Sequence, residues 1–503
     1  MKMMNIKLAI LLISVAAVLS SCKKDFLERN PLSSLSSEVF WQNEEDVKQA
    51  LAGVYNVLQS GFYGSRKVWL DAYSDNAYDR FNYYGFQQMT QGIVNSTNVP
   101  WDFYGVPYRG IARCNFFLDN IGKASIGEAA AAVYEAEVRF LRAMFYFDLV
   151  QCYGGVVLYK TAPTSVDESK IKQSGAAEVL SFVNDELDVA IANLPNEAYN
   201  GHAVKASAQA LRARVALYQQ DWPTAATLTG DIIAGGKFSI WPEYEELFNT
   251  SATQFNNTEI IFSTRFLSPN NVNSFDMELG NYAAVGPYQN LVDEYETLNG
   301  KMINDPSSGY DPEHPYTNRD PRLYYTIQVP TDIIRYADGT LYVHSDPLLT
   351  GYAPKKYVDF THNPNLIGSQ LSDQHVIHIR YADVLLMYAE ARNELSGPDA
   401  TVYSALNQIR QRPSVNLPPV DEVAFGTQPA LREFIRHERR VEMALEGIRY
   451  YDLKRWDLME EKLSAMQNPG GVQLSFGEIN NVLPFSLSET TQNPQLEQND
   501  GYK

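Results

Sequence analysis

Residues 203–234 read A-V-K-A-S-A-Q-A-L-R-A-R-V-A-L-Y-Q-Q-D-W-P-T-A-A-T-L-T-G-D-I-I-A, and this stretch decides the fold. Ala206, Ala210, Ala213, Ala216, Leu217 and Tyr218 mark a small-residue helix. It meets Asp221-Trp222-Pro223, and a second helix carrying Ala225, Ala226 and Ile232 then runs to Gly235-Gly236. Paired glycines stop a helix. Small residues on one face let two helices approach closely.

The unit spans about 34 residues and resembles a tetratricopeptide repeat. Helical periodicity continues on both sides of it. Residues 44–59 place Val47, Leu51, Val54, Tyr55 and Leu58 on one face. Residues 101–121 do so with Trp101, Tyr104, Tyr108, Ile111 and Leu118, and residues 133–152 with Ala136, Phe140, Ala143, Phe147 and Val150. Further helices are expected over 176–194, 380–395, 400–411, 429–446 and 448–463. The last two carry dense opposite charge, from Arg432 to Arg455, and charges three and four apart on a helix brace it. Residues 236–379 differ, with frequent Gly, Pro, Asn and Tyr and strand-like runs at Ile260-Ile261-Phe262 and Tyr324 to Val329. The expected architecture is mainly α: helix pairs in a superhelical scaffold, with a large irregular insert containing short strands.

At the front, Lys2 and Lys7 precede an apolar run from Leu8 to Leu19, and Leu19-Ser20-Ser21-Cys22 follows. A run this short is a signal-peptide core, because a spanning helix needs about 20 apolar residues. The ending has the form of a bacterial lipobox, which makes Cys22 the lipidation site. The expected division is a signal peptide over 1–21, a tether over 22–43 and one domain over 44–503. Within that domain the helical scaffold occupies 44–235 and 380–463, the irregular ligand face 236–379 and a tail 464–503. The net charge of −19 argues against nucleic acid as a ligand. Cys114 and Cys152 lie in apolar helical segments, which favours two buried free thiols over a disulfide.

Catalytic patterns are missing. His375 and His378 would fall on opposite faces of a strand. His437-Glu438 has no histidine four residues after the first, and no nucleophile elbow or phosphate loop occurs. Glu44-Glu45 and Glu245-Glu246 are paired carboxylates of the kind an acidic protein keeps in solvent. No cofactor is expected. The acidic loop from Asp305 to Glu313 could hold a structural calcium but lacks EF-hand spacing. No catalytic residue and no metal ligand is assigned.

Binding has better material. Residues 69–84 read W-L-D-A-Y-S-D-N-A-Y-D-R-F-N-Y-Y, and no helical stripe explains Tyr78, Phe81, Tyr83 and Tyr84 together. Sugars offer CH faces that stack on rings and hydroxyls that pair with polar side chains. This stretch is therefore read as an oligosaccharide platform, with Asp75, Asn76 and Arg80 on the hydroxyls. Tyr282 and Tyr288, within 265–288, form a second candidate segment, and Tyr336 with Tyr342 a third. A shallow preformed site predicts affinity of about micromolar to millimolar.

Motifs spread along the chain carry a resemblance. Residues 101–120 read W-D-F-Y-G-V-P-Y-R-G-I-A-R-C-N-F-F-L-D-N, and 136–158 read A-E-V-R-F-L-R-A-M-F-Y-F-D-L-V-Q-C-Y-G-G-V-V-L. N-R-D-P-R-L lies at 318–323, R-Y-A-D-V-L-L-M-Y-A-E-A at 380–391 and E-R-R-V-E-M-A-L-E-G-I-R-Y-Y-D-L-K-R-W at 438–456. In this order behind a lipobox, the chain resembles the SusD/RagB family of outer-membrane lipoproteins of Bacteroidota. The resemblance implies four tetratricopeptide-like helix pairs and a SusC-like TonB-dependent transporter as partner. It implies a non-catalytic lid, held at the outer membrane by its lipid and facing the exterior, that delivers oligosaccharide into that barrel. Peptide cargo, as in the RagB branch, and a purely structural adaptor are the alternatives.

Overall fold

The computed structural model describes residues 40–100, 103–249, 251–336, 338–344, 347–361 and 372–503. Cys22, the signal segment, most of the tether and Trp101 lie outside them. The tether expectation needs one correction at its end. Trp41 is buried and packs edge-on to Phe117 at 5.5 Å, so the folded unit begins before residue 44.

Helix α1 (Glu44–Tyr55) starts at Asn43, whose side chain accepts from the backbone N–H groups of Glu45 and Asp46, while Asp46 returns to the Asn43 N–H. This reciprocal cap satisfies donors that the first turn leaves open. Helices α2 (Gly105–Asn120), α3 (Glu128–Tyr153), α4 (Ala176–Asn193), α5 (Lys205–Tyr218) and α6 (Trp222–Gly235) follow, each packed on the next. Helix α3 is buried on nearly every side from Ala136 onward, which suits a helix apolar all round. Full burial of a side chain such as Phe140 contributes about 1.5–3 kcal/mol. At the α2–α3 crossing, a Cβ on Gly110 would sit 2.3 Å from the Phe145 ring, so only glycine fits.

The α5–α6 pair confirms the reading of 203–234. Ala208, Ala210, Ala213, Ala216 and Ala225 are fully buried, and the Asp221 carboxylate caps α6 through the Thr224 N–H at 3.2 Å. Gly236, at φ +60°, ends it. The stack then resumes far downstream. Helix α7 (Tyr381–Ser396) packs on α6, and α8 (Ala400–Arg410) and α9 (Gln428–Glu442) pack on α7. The segment expected as one helix over 448–463 is two short ones, α10 (Arg449–Arg455) and α11 (Met459–Ser464). Asp457 between them takes φ +57°, which breaks the helix.

Among the described residues, three antiparallel strand pairs hold the intervening segment. β1 (Ala77–Asp79) pairs with β3 (Val285–Pro287), with Tyr78 opposite Gly286. β2 (Ile260–Thr264) pairs with β6 (Val376–Arg380) through a bulge, and β4 (Ile327–Gln328) with β5 (Ala353–Pro354). The strand expected over Tyr324 to Val329 is shorter. Tyr324 and Tyr325 belong to a helical turn, Pro321–Thr326, begun by Asp320, whose carboxylate accepts the Arg322 N–H at 2.9 Å. The Asp-Pro start outweighs the β preference of the tyrosines.

Charge lies at the centre of this frame. Arg380 donates to Glu259 at 2.8 Å, Glu442 at 2.7 Å and Glu446 at 2.7 Å, and has no exposed side-chain surface. Arg412 bridges Glu259 and Glu442, and Arg322 bridges Asp320, Glu438 and Glu442. Arg410 joins Glu438 to Glu296, and the Lys356 ammonium reaches Glu446 at 2.9 Å. Burial alone would raise the Glu442 carboxyl, but Arg412, Arg380 and Arg322 hold it well below the usual range. The charges at 429–446 thus brace the interior as well as their own helix.

Candidate functional site

β1 ends at Asp79, and the chain then turns sharply through residues 80–87. Asn82 takes φ +54° and Gly85 φ +77°, conformations that Asn and Gly adopt at least cost. The Asn82 N–H donates to Asp79 Oδ1 at 3.1 Å, and the Gln87 N–H donates to Asn82 Oδ1 at 3.0 Å. The Gln87 side-chain amide donates to the Asp79 carbonyl at 2.7 Å and to the Tyr78 hydroxyl at 2.9 Å. The Arg80 N–H extends the β1–β3 pairing to the Ala284 carbonyl. The turn is therefore a held shape.

That turn lifts Tyr83 into solvent, 78% exposed. Its ring stacks on Phe81 at 5.4 Å with 15° between planes. Tyr282 meets Phe81 edge-on at 6.1 Å, and the Arg80 guanidinium lies 5.2 Å from the Phe81 ring centre. Arg80 also donates to the Tyr282 carbonyl at 3.0 Å, which ties the two segments together. The result is a tier of rings with Tyr83 outermost, Phe81 supporting it and Tyr282 at the side. A preorganised flat ring of this kind can stack on the CH face of a sugar.

The other expected residues divide. Tyr84 is anchored under Arg66 at 4.6 Å and edge-on to Trp69, and burial, then the Glu278 charge, push its phenol up to about 12. Tyr78 is half-buried and faces Tyr288 at 6.4 Å. Tyr288, Tyr336 and Tyr342 are buried, so their expected place on a ligand face is corrected to the packing beneath it. The Tyr342 hydroxyl donates to the Gly280 carbonyl, close in sequence to Tyr282.

Asp75 and Asn76 need the same correction. Asp75 is 1% exposed and accepts from Arg449 at 2.8 and 2.9 Å, with Arg440 at 3.2 Å. Burial opposes its charge, but Arg440 and Arg449 hold the carboxyl well below the usual range. Asn76 donates to Asp71 at 2.7 Å and accepts from Arg440 at 2.9 Å. Both belong to the charged interior and have no surface for a sugar hydroxyl. Asp79 and Gln87, which hold the turn, are the functional residues that ring spacing did not single out. The Asn82-to-Gly85 turn chemistry was the available signal.

A groove of 770 Å³ lies apart from these rings, between α1, α3 and residues 195–204. The Tyr55 hydroxyl at 2.6 Å and His202 Nδ1 at 2.9 Å meet one Glu137 oxygen there, so its best polar groups are spent on each other. In the acidic loop, Asp305 caps Ser307 and Asp311 pairs with His314 at 2.8 Å. Among the described residues no group of three or more His, Cys, Asp and Glu is gathered as a metal site. Nor is any described helix long and apolar enough to cross a membrane. Cys114 and Cys152 are free and buried. His378 is buried with Nε2 2.8 Å from Thr264 Oγ1, and burial, then the Lys67 and Arg214 charges, keep it neutral.

Residues 244–502 match the family model described as the SusD family. Residues 25–217 match one described as starch-binding associating with outer membrane. SusD-like protein P38 of Formosa agariphila is 29% identical over 536 residues, covering 100% of both chains. A SusD-like carbohydrate-binding protein of Bacteroides fragilis superposes with a TM-score of 0.80 at 28% identity, covering 91% of this chain and 100% of that one. A laminarin-binding SusD-like protein gives 0.72 at 26% identity, covering 92% and 100%.

Proposed function

This chain belongs to the SusD family, and from that premise we propose that it captures an oligosaccharide on the Tyr83–Phe81–Tyr282 tier without transforming it. The carrying observation is Tyr83, a ring 78% exposed yet held by a stacked ring beneath it. Exposure alone does not mark a site, since Ile333 and Val423 are as open; a flat ring fixed by a stacked neighbour with its outer face free is what the CH face of a sugar needs. The carbohydrate-binding and laminarin-binding relatives support the same class of ligand. Delivery to a SusC-like TonB-dependent transporter completes the proposal, with Cys22 as the lipid anchor on the outer membrane, facing the exterior.

Isothermal titration against a panel of neutral and acidic polysaccharides tests the capture step. The expected result is binding of at least one glycan with Kd of about micromolar to millimolar. No heat from any of them, with the protein folded, would overturn the reading. Co-purification with a SusC-like transporter from detergent-solubilised outer membranes tests the delivery step.

A further inference from the structure

Asp79 ends the strand that leads into the ring tier, and it is 2% exposed. Its Oδ1 accepts the Asn82 N–H at 3.1 Å, and its own carbonyl accepts the Gln87 amide at 2.7 Å. Its Oδ2 is buried with no hydrogen-bond partner. An ionised carboxylate in that state is costly, because one oxygen has lost water and gained nothing. Protonation removes the charge while leaving Oδ1 to accept from the turn.

We infer that Asp79 is a positioning residue for Tyr83: it fastens the 80–87 turn and fastens it more firmly when protonated. The proposal rests on the Tyr83 tier being the binding surface, and it adds regulation of that surface by pH. Three features of the geometry carry it: the buried unpartnered oxygen, the Asn82 bond, and the position of Asp79 at the end of β1 opposite Val285.

Titratable neighbours do not offset the charge. Tyr78 on the same strand and Tyr84 on the turn face Asp79, and its charge contributes to raising both phenols. Arg66 and Glu278 face Tyr84 from the preceding and following helical segments. Paired strand β3, Val285–Pro287, brings no ionisable side chain. Burial pushes the Asp79 carboxyl up to about 6, against the opposing backbone bonds of Asn82 and Phe81. In an opened turn the group returns to its ordinary value of 3.8. The sign follows. The packed turn holds its proton more tightly than the opened one, so the closed form gains as pH falls toward and below about 6.

Hydrogen exchange of the amides in residues 80–87, corrected for intrinsic rates and with no glycan present, is the test. The full protein is compared with Asp79→Asn and Asp79→Ala. Wild type should gain about tenfold protection between about pH 7.5 and about pH 5, one decade per unit of linked titration. Asp79→Asn, which cannot ionise, should show no pH dependence, and Asp79→Ala should lose protection at both values. Should Asp79→Ala fail to fold, Asp79→Asn decides alone. Equal wild-type protection at both pH values, or an Asp79→Asn profile that follows wild type, would overturn the assignment. Because no glycan takes part, that failure leaves the binding proposal standing, and silence in the glycan titration leaves the exchange result standing.

Discussion

Arg380 and Tyr83 mark the two extremes of this molecule. Arg380 is a guanidinium with no surface, closed in by Glu259, Glu442 and Glu446. Tyr83 is a ring 78% exposed, with Phe81 stacked beneath it. One region puts charge inside and satisfies it from every side. The other puts aromatic carbon outside and satisfies it from one side. The contrast teaches where to look for function: a group whose partners are all present is part of the frame, and a group held rigid with one face unmet is available to a ligand.

The family-bearing motifs fall on the framed side. Arg322 of N-R-D-P-R-L, Arg380 and Asp383 of R-Y-A-D, and Glu438, Arg439, Arg440 and Glu442 of E-R-R-V-E are all buried and ion-paired. Asp71, near the platform in sequence, accepts the Gly447 N–H at 2.6 Å. Gly447 itself takes φ +72°, with a Cβ position 2.3 Å from the Lys67 carbonyl, so the motif glycine is there for the close approach.

Breaking the frame should have the largest effect. Arg380→Ala removes the cation that Glu259, Glu442 and Glu446 share, leaving Arg412, Arg322 and Lys356 to hold the same three carboxylates. Removing one partner of a buried pair costs about 3–5 kcal/mol, against a net stability of about 5–15 kcal/mol. Loss of a cooperative thermal transition, or a severely lowered Tm by circular dichroism, is expected. A Tm within a degree or so of wild type would mean that the network is not what holds the helices.

Softening the tier should leave the frame alone. Phe81→Ala removes the support under Tyr83, with an expected loss of about tenfold in glycan affinity, or about 1.4 kcal/mol. Its Tm should fall far less than that of Arg380→Ala, because the ring is only half-buried; titration and a melt on the same sample check both halves.

At the rim of the frame the effect is conditional on pH. Burial opposes the charge on His437, but the hydrogen bonds it donates to Glu294 and Glu296 win and raise it from 6.5 to about 9. A raised folded value stabilises the native state fully below 6.5, and that contribution is lost as pH rises through about 9. Wild-type Tm should therefore fall between about pH 7 and about pH 10, and His437→Gln should fall less over that window.

The smallest expected signal is chemical. Burial, partly offset by Lys454, pushes the Cys152 thiol up to about 12. Native protein should show no fast labelling of Cys114 or Cys152 by a thiol reagent. Prompt reaction of either would show that the helical stack opens.

Much of the scaffold was legible because helix pairs are a local pattern. Ala208 to Ala225 and the Asp221 cap lie within one short stretch, and their spacing announces their packing. The charged interior was not legible, because Arg380 meets Glu259 across 121 residues, and periodicity sees only near neighbours. That is why the charges of α9 read as bracing along a helix and why Asp75 and Asn76 read as surface polar groups. The tier was half legible. Alternating rings announced Tyr83 and Phe81, but spacing could not say that Tyr288, Tyr336 and Tyr342 point inward. Those residues turn inward because neighbouring segments cover them, as Tyr342 shows by donating to the Gly280 carbonyl.

Tyr83 is proposed as a binding surface that the frame does not need. Titration of Tyr83→Ala with the glycan that wild type binds best in the panel, alongside its melting curve, measures this directly. The prediction is an affinity loss of about 30-fold, about 2 kcal/mol, with Tm unchanged. Wild-type affinity in a folded Tyr83→Ala protein would contradict it and move the site away from this turn.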